Sequence, residues 1–164
     1  MKEIKLTIDG KEIPLKPEQI KALGIDIDDG CVCDRVEYGE YYYSIGYYGT
    51  VDEIMELDGR FDCGAYKCGN YYRDKSYAKQ VALHQKLNNL LRRYSEQHGG
   101  DAEWGNGKFH YFVCIDQDNG TFIVDCNTHY KSSANVYFSS RDVAAKAIEE
   151  VVKPFMKEHP DFVW

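Results

Sequence analysis

No segment of this 164-residue chain approaches the roughly 20 consecutive apolar residues that a membrane-crossing helix requires, so no such helix is expected. No apolar leader is expected either, since Met1 to Leu6 carry Lys2, Glu3 and Lys5. The expectation is a cytoplasmic protein, in a bacterial or virus-infected cell, with no membrane partner. In that compartment the six cysteines would be mostly reduced. Positive charge is also short. Lys and Arg number 20 against 27 Asp and Glu, and the net charge of −7 argues against nonspecific nucleic-acid binding, whose affinity comes largely from phosphate neutralisation. Such acidity either keeps a protein soluble or draws it to basic surfaces, including those that hold nucleic acid. Reaction signatures are absent too. There is no G-x-x-x-x-G-K-[ST] phosphate loop, no G-x-G-x-x-G turn, no G-x-S-x-G elbow and no H-E-x-x-H pair. No motif identifies a reaction, and a non-enzymatic protein is expected.

What is present begins with a repetition. Tyr71-Tyr72-Arg73-Asp74-Lys75-Ser76-Tyr77-Ala78 is echoed by Tyr137-Phe138-Ser139-Ser140-Arg141-Asp142-Val143-Ala144. Each copy follows an Asn (Asn70, Asn135), is preceded by an aromatic strand and a Gly-Thr turn, and runs into a helical pattern. Duplicated units of this kind bury a common core. The expected class is α+β: two tandem strand-strand-strand-helix units with a mostly antiparallel sheet, preceded by an N-terminal β-hairpin and short helix. The expected domains are 1–24 for the appendage, 25–100 for the first repeat and 101–164 for the second, with the repeats forming one compact domain as the alternative.

Local signals place the elements. Ile4, Leu6 and Ile8 alternate, Asp9-Gly10 follows, and Ile13 and Leu15 continue, which predicts a hairpin with a type I′ turn. Pro17 to Leu23 reads as a short helix closed by Gly24, and Asp26 to Glu40 as an acidic loop. Strands are expected at Tyr41–Ile45, Val51–Leu57 and Ala65–Tyr72. Asp74 caps a helix to about Gln97, which ends at Gly99-Gly100. Phe109–Cys114 and Thr121–Cys126 form a second hairpin about Asn119-Gly120. Ser139 or Ser140 caps a last helix whose apolar stripe is Ala144, Ala147, Ile148, Val151, Val152 and Phe155, with Pro154 weakening its continuity. Phe162-Val163-Trp164 is too apolar for a free tail and should dock.

Candidate chemistry is sparse. Cys31, Cys33, Cys63 and Cys68 supply four thiols, which either close a zinc site or are incidental and reduced. No other cofactor is implied. Cys114 and Cys126 read as packing residues. His98 and His159 sit near helix C-termini, where the dipole favours an imidazole. His110 and His129 can face each other across the second hairpin as a general-base pair, and Asp116 and Asp118 are turn residues or weak metal candidates.

The aromatic content is the better lead. Fourteen Tyr outnumber seven Phe and two Trp, and Tyr41, Tyr42, Tyr43, Tyr47 and Tyr48 crowd together ahead of Asp52, Glu53, Glu56 and Asp58. In a strand Tyr41 and Tyr43 point one way and Tyr42 the other, so some of these rings stay wet. Tyr with interleaved acids suits a surface that grips a basic protein groove; a Tyr-rich sheet edge of no consequence is the plain alternative.

The opening Met1-Lys2-Glu3-Ile4-Lys5-Leu6-Thr7-Ile8-Asp9-Gly10-Lys11-Glu12-Ile13 resembles the first hairpin of many short phage and prophage proteins of low-GC Gram-positive bacteria. Gly69-Asn70-Tyr71-Tyr72, Asn135 to Ala144 and Ala147 to Glu150 are similar to the same loosely defined group. The resemblance brings no catalytic residues, and the four cysteines are no part of it. It implies an accessory viral protein of the anti-CRISPR type, an inhibitor whose partner is a host defence protein with a basic nucleic-acid-binding surface. Two other functions are weighed beside it: a sponge for a nucleotide defence signal, using aromatic stacking with Arg73 or Arg92, and a metal-dependent nuclease or hydrolase using His110 and His129.

Overall fold

A computed structural model describes residues 5–8, 11–14, 35–101, 103–105 and 107–164. The chain divides into two units, Met1–Arg35 and Val36–Trp164; the expected second repeat and residues 36–100 of the expected first lie in the second unit. In the first unit β1 (Lys5–Ile8) pairs antiparallel with β2 (Lys11–Pro14), Leu6 opposite Ile13. The Asp9-Gly10 turn, the Pro17–Leu23 helix, Cys31 and Cys33 lie outside the described residues.

The second unit opens with a Tyr-rich hairpin, β3 (Tyr41–Ile45) against β4 (Val51–Met55). β4 stops two residues short of expectation, although the Glu56 backbone still pairs with Gly39 and Glu40 beyond its end. In place of the expected third strand over 65–72, residues 65–67 end helix α1 (Arg60–Lys67) and the rest is a turn leading to a single bridge. Asp62 explains the difference: its carboxylate accepts the Gly59 N–H at 2.9 Å, satisfying an orphan donor at the helix start. Asp62, Ala65 and Tyr66 then face inward at helical spacing. Gly64 within this helix weakens its sequence signal by roughly 0.5–1 kcal/mol relative to Ala. Strand character survives at Tyr72, which exchanges two backbone hydrogen bonds with Tyr43 at 2.7 and 2.8 Å.

Helix α2 (Lys75–Gln97) follows as expected, its Tyr77 N–H donated to the Asp74 carboxylate at 2.6 Å. It ends where Gly99 and Gly100 take positive φ and the Gly100 N–H returns to the Ser95 carbonyl. β5 (His110–Asp116) and β6 (Thr121–Asn127) form the second hairpin. Its connection departs from a two-residue type I′ turn. Asp116 stands opposite Thr121, only Gly120 has positive φ, and the Gly120 N–H reaches the Asp116 carbonyl across a four-residue loop. Asn119 is spent on capping, its side-chain oxygen accepting the Thr121 N–H.

β7 (Tyr137–Phe138) pairs antiparallel with β5, giving the order β6-β5-β7. Ser140 then caps α3 (Arg141–Ala147), and the rod continues through a π-helical turn (Ile148–Val152) into α4 (Lys153–Glu158). Pro154 accounts for the wide turn. A proline cannot donate and its ring crowds the preceding carbonyl, whereas near the start of a fresh helical segment its missing N–H costs little. The class is α+β with small antiparallel sheets.

The main core gathers Leu87, Leu91 and Tyr94 of α2 with Val113, Phe138, Ala144, Ile148, Val152 and Phe155. Phe162 is buried there, and Gln80 of α2 fixes the segment through the Asp161 carbonyl and the Val163 N–H. Among the described residues no helix is long and apolar enough to cross a membrane. Truncating Phe138, 1% exposed, to Ala should cost about 3–5 kcal/mol in urea unfolding. Asp74→Ala or Ser140→Ala should each cost about 1 kcal/mol through loss of a helix cap.

Candidate functional site

The Tyr-rich hairpin divides into an inside and an outside. Strand alternation sends Tyr42 and Ser44 inward and Tyr41 and Tyr43 outward. Tyr42 is fully buried, stacks on Tyr71 at 4.0 Å and donates its hydroxyl to Asp62 at 2.8 Å. Tyr71 in turn donates to Glu56 at 2.8 Å and accepts the Val36 N–H, while Tyr66 packs edge-on against it. Glu56 is 1% exposed and also accepts the Asp58 N–H. Two of the nine residues proposed for a partner surface, Tyr42 and Glu56, are therefore structural. A carboxylate with Tyr and backbone donors on both oxygens can be kept inside, and that is where Glu56 serves the fold.

The other seven remain at the surface. Tyr41 is half-exposed on the outer face, Tyr43 donates to Glu53 across the hairpin at 3.3 Å, and the Lys75 ammonium lies 5.5 Å above the Tyr43 ring. At the tip, Tyr47 and Tyr48 are 97% and 90% exposed and meet edge-to-face at 5.3 Å. The turn holding them closes through the Gly46 N–H to the Thr50 carbonyl, with Gly49 at positive φ. Asp52 sits near the turn, held by the Thr50 hydroxyl, and Asp58 takes positive φ in the loop after β4. Sequence reasoning missed Met55, Leu57 and Tyr38, which are also exposed. Met55 stands opposite Tyr41, and the turn holding Tyr38 is bonded to the Glu56 backbone. Only the hairpin register and that turn could have revealed them.

The other candidates are placed as follows. Cys63 and Cys68 are five residues apart along α1 and its cap, about 140° around a helix, so they point to different sides. Among the described residues no group of three metal-ligating side chains converges. Burial, then Asp125 and Asp116, hold the Cys114 thiol above its ordinary range, in keeping with a packing residue. His98 and His159 cap α2 and α4; His98 stacks on Tyr94 and its Nδ1 lies 2.8 Å from the Tyr94 carbonyl. His110 and His129 are not brought face to face. His110 stands opposite Asn127 and is fully buried, Trp104 stacked on it at 3.6 Å and Asp101 2.8 Å from its Nδ1; His129 is exposed beyond the strand.

Burial, then Asp62, raises the Tyr42 phenol far above its usual range, and burial with Glu150 raises Tyr94. A phenol raised in the fold stays neutral there while the unfolded chain ionises, so the stability it confers is present below about pH 10 and falls as pH rises further. The urea midpoint should therefore drop above about pH 10, and Tyr42→Phe should make that drop shallower. The same substitution removes a donor from buried Asp62 and should cost about 1–3 kcal/mol at neutral pH.

No protein-family model, no curated protein and no solved structure matches this chain.

Proposed function

We propose that this protein is a non-catalytic inhibitor, acting in the cytoplasm of a bacterial host, that docks on the basic nucleic-acid-binding surface of a defence effector such as a CRISPR nuclease. The docking surface is the outer face and tip of the β3–β4 hairpin. One observation carries this reading: Tyr47 and Tyr48 project almost wholly into solvent from a turn whose backbone is hydrogen-bonded and whose strands are anchored from behind. Two rigid aromatic side chains held in water lose little conformational entropy on docking. Asp52 and Glu53 lie beside them and supply the charge that a basic groove attracts. The resemblance to phage accessory proteins supports the class of partner, and the net charge of −7 supports the sign of its surface.

The finer architecture is proposed with it: two tandem copies of one unit. Supporting this, Tyr72 and β7 each pair with the first strand of the preceding hairpin, and each leads into a side-chain-capped helix. Helix α1 is then an insertion in the first copy.

The test is inhibition of purified RNA-guided nucleases, with nucleic acid as competitor. Inhibition should weaken as salt rises. A Tyr47→Ala/Tyr48→Ala double variant should lose about 2 kcal/mol or more of binding, and Asp52→Lys/Glu53→Lys should lower affinity and flatten the salt dependence. Glu56 is unsuitable for charge reversal because it is internal. A double Tyr variant that inhibits as well as the parent, or a panel of defence nucleases none of which is inhibited, would sink the proposal.

A further inference from the structure

Away from the hairpin, two clefts lie side by side along α2. The smaller, about 250 Å³, has Leu87, Leu91 and Val113 among its apolar lining and Trp164 beside them. Three polar side chains line it as well: His84 and Asn88 from α2, and Asn135 from the segment before β7. The larger, about 390 Å³, continues past Asn135 and Val136, which line both. Its α2 residues are Arg92, Ser95 and Glu96, and facing them is the run Lys131-Ser132-Ser133. Taken together the clefts fall in the roughly 300–1,000 Å³ range of small-molecule sites.

Asn135 is informative by comparison with Asn70. In the first aromatic pair Asn70 immediately precedes Tyr71, and its amide clamps the Ile45 backbone, accepting the N–H at 2.8 Å and donating to the carbonyl at 2.9 Å. In the second pair Val136 intervenes between Asn135 and Tyr137. The side-chain amides of Asn135 and Asn88 make no hydrogen bond to another described residue, and both line the smaller cleft. An amide presents a donor and an acceptor in one plane, which matches the edge of a nucleobase. The indole and the aliphatic lining suit the faces of that base.

The larger cleft has the complementary chemistry. The Arg92 guanidinium has no acidic partner among the described residues, and the Lys131 ammonium rests 5.6 Å from the centre of the Trp104 ring. Ser132 and Ser133 add hydroxyl donors. Asp101 also lines this cleft, but its oxygens are engaged by His110 Nδ1 and by the Trp104 indole N–H, both at 2.8 Å. Glu96 is the remaining carboxylate. Arg92 and Lys131 are formally balanced by Glu96 and Asp101, so the cleft carries no net charge; what it offers a single phosphate is the directional donors of Arg92, Lys131 and the two serines, and it is not suited to a long phosphate chain.

We propose that the paired clefts form a mononucleotide-binding site, with the base between Asn88, Asn135 and Trp164 and the phosphate at Arg92 and Lys131. The site does not depend on the hairpin surface and is tested separately from it. Calorimetric titration of the full chain with the four 5′-ribonucleoside monophosphates, their nucleosides, inorganic phosphate and a short single-stranded RNA is the direct experiment. At least one monophosphate should bind about ten-fold or more tightly than its nucleoside and raise the melting temperature. Arg92→Gln and Lys131→Gln, both at exposed positions, should each weaken the monophosphate about ten-fold while leaving nucleoside binding unchanged. Asn135→Ala should weaken both ligands, with thermal melts confirming that each variant is folded. The proposal is overturned if no monophosphate binds at about millimolar concentration, if nucleoside and nucleotide bind equally, if phosphate alone accounts for the binding, or if RNA binds more tightly than any monophosphate.

Discussion

Two carboxylates inside the hairpin module, Asp62 and Glu56, set the terms on which that module folds. A buried carboxylate is tolerated when hydrogen bonds replace the water it has lost. Asp62 receives the Tyr42 hydroxyl and the backbone N–H groups of Leu57 and Gly59. Glu56 receives the Tyr71 hydroxyl and the Asp58 N–H. These bonds join β3, the loop after β4, the start of α1 and the Tyr71-Tyr72 segment. Tyr42 lies at their centre, stacked on Tyr71, and holds the strand whose other face carries Tyr41 and Tyr43. The wet tyrosines are displayed because the dry ones are anchored.

The second sheet reaches a similar layout by different means. Its core is aliphatic and aromatic, built on Phe138, Val152 and Phe155, and its short strand is fixed by the Ser95 hydroxyl donating to the Tyr137 carbonyl at 2.6 Å. Helix α2 serves both parts. Ala78, small and fully buried, lies in its first turn, while Leu87, Leu91 and Tyr94 join the larger core further along. Beyond that packed stripe the same helix contributes Asn88 and Arg92 to the two clefts. An amphipathic helix thus has its polar shoulder beside the pre-β7 segment, and a difference of one residue in that segment separates the roles of Asn70 and Asn135.

Much of the fold was legible from local rules. β3 spans the residues its aromatic content marks, and α2 begins at Asp74 and stops at a glycine pair, because caps and positive-φ positions are decided by individual side chains. The docking of Phe162 and the stripe from Ala144 to Phe155 were equally readable from apolar content and period. Helix α1 was not. It is eight residues long, contains Gly64, and starts at a glycine that has no side chain to cap with; what makes it a helix is Asp62 reaching the Gly59 N–H and Tyr42 together. The π-helical turn was legible only as a disturbance at Pro154, since its register depends on which residues must still reach the core after the proline.

The candidate surface was legible as a composition and only half as a geometry. Alternation assigns Tyr42 and Tyr43 to opposite faces, but it does not say which face is dry; the stack with Tyr71 and the bond to Asp62 decide that, and both partners are distant in sequence. Glu56 looks from its neighbours like one more surface acid, and a tyrosine fifteen residues away makes it internal. By itself, then, the order of residues determined caps, turns, periodicity and the excess of acid, because each depends on near neighbours or on simple counts. Which tyrosines and carboxylates are exposed, and which amides are left to line a cleft, was decided by tertiary structure, because desolvation is a property of everything that packs around a group rather than of the group itself.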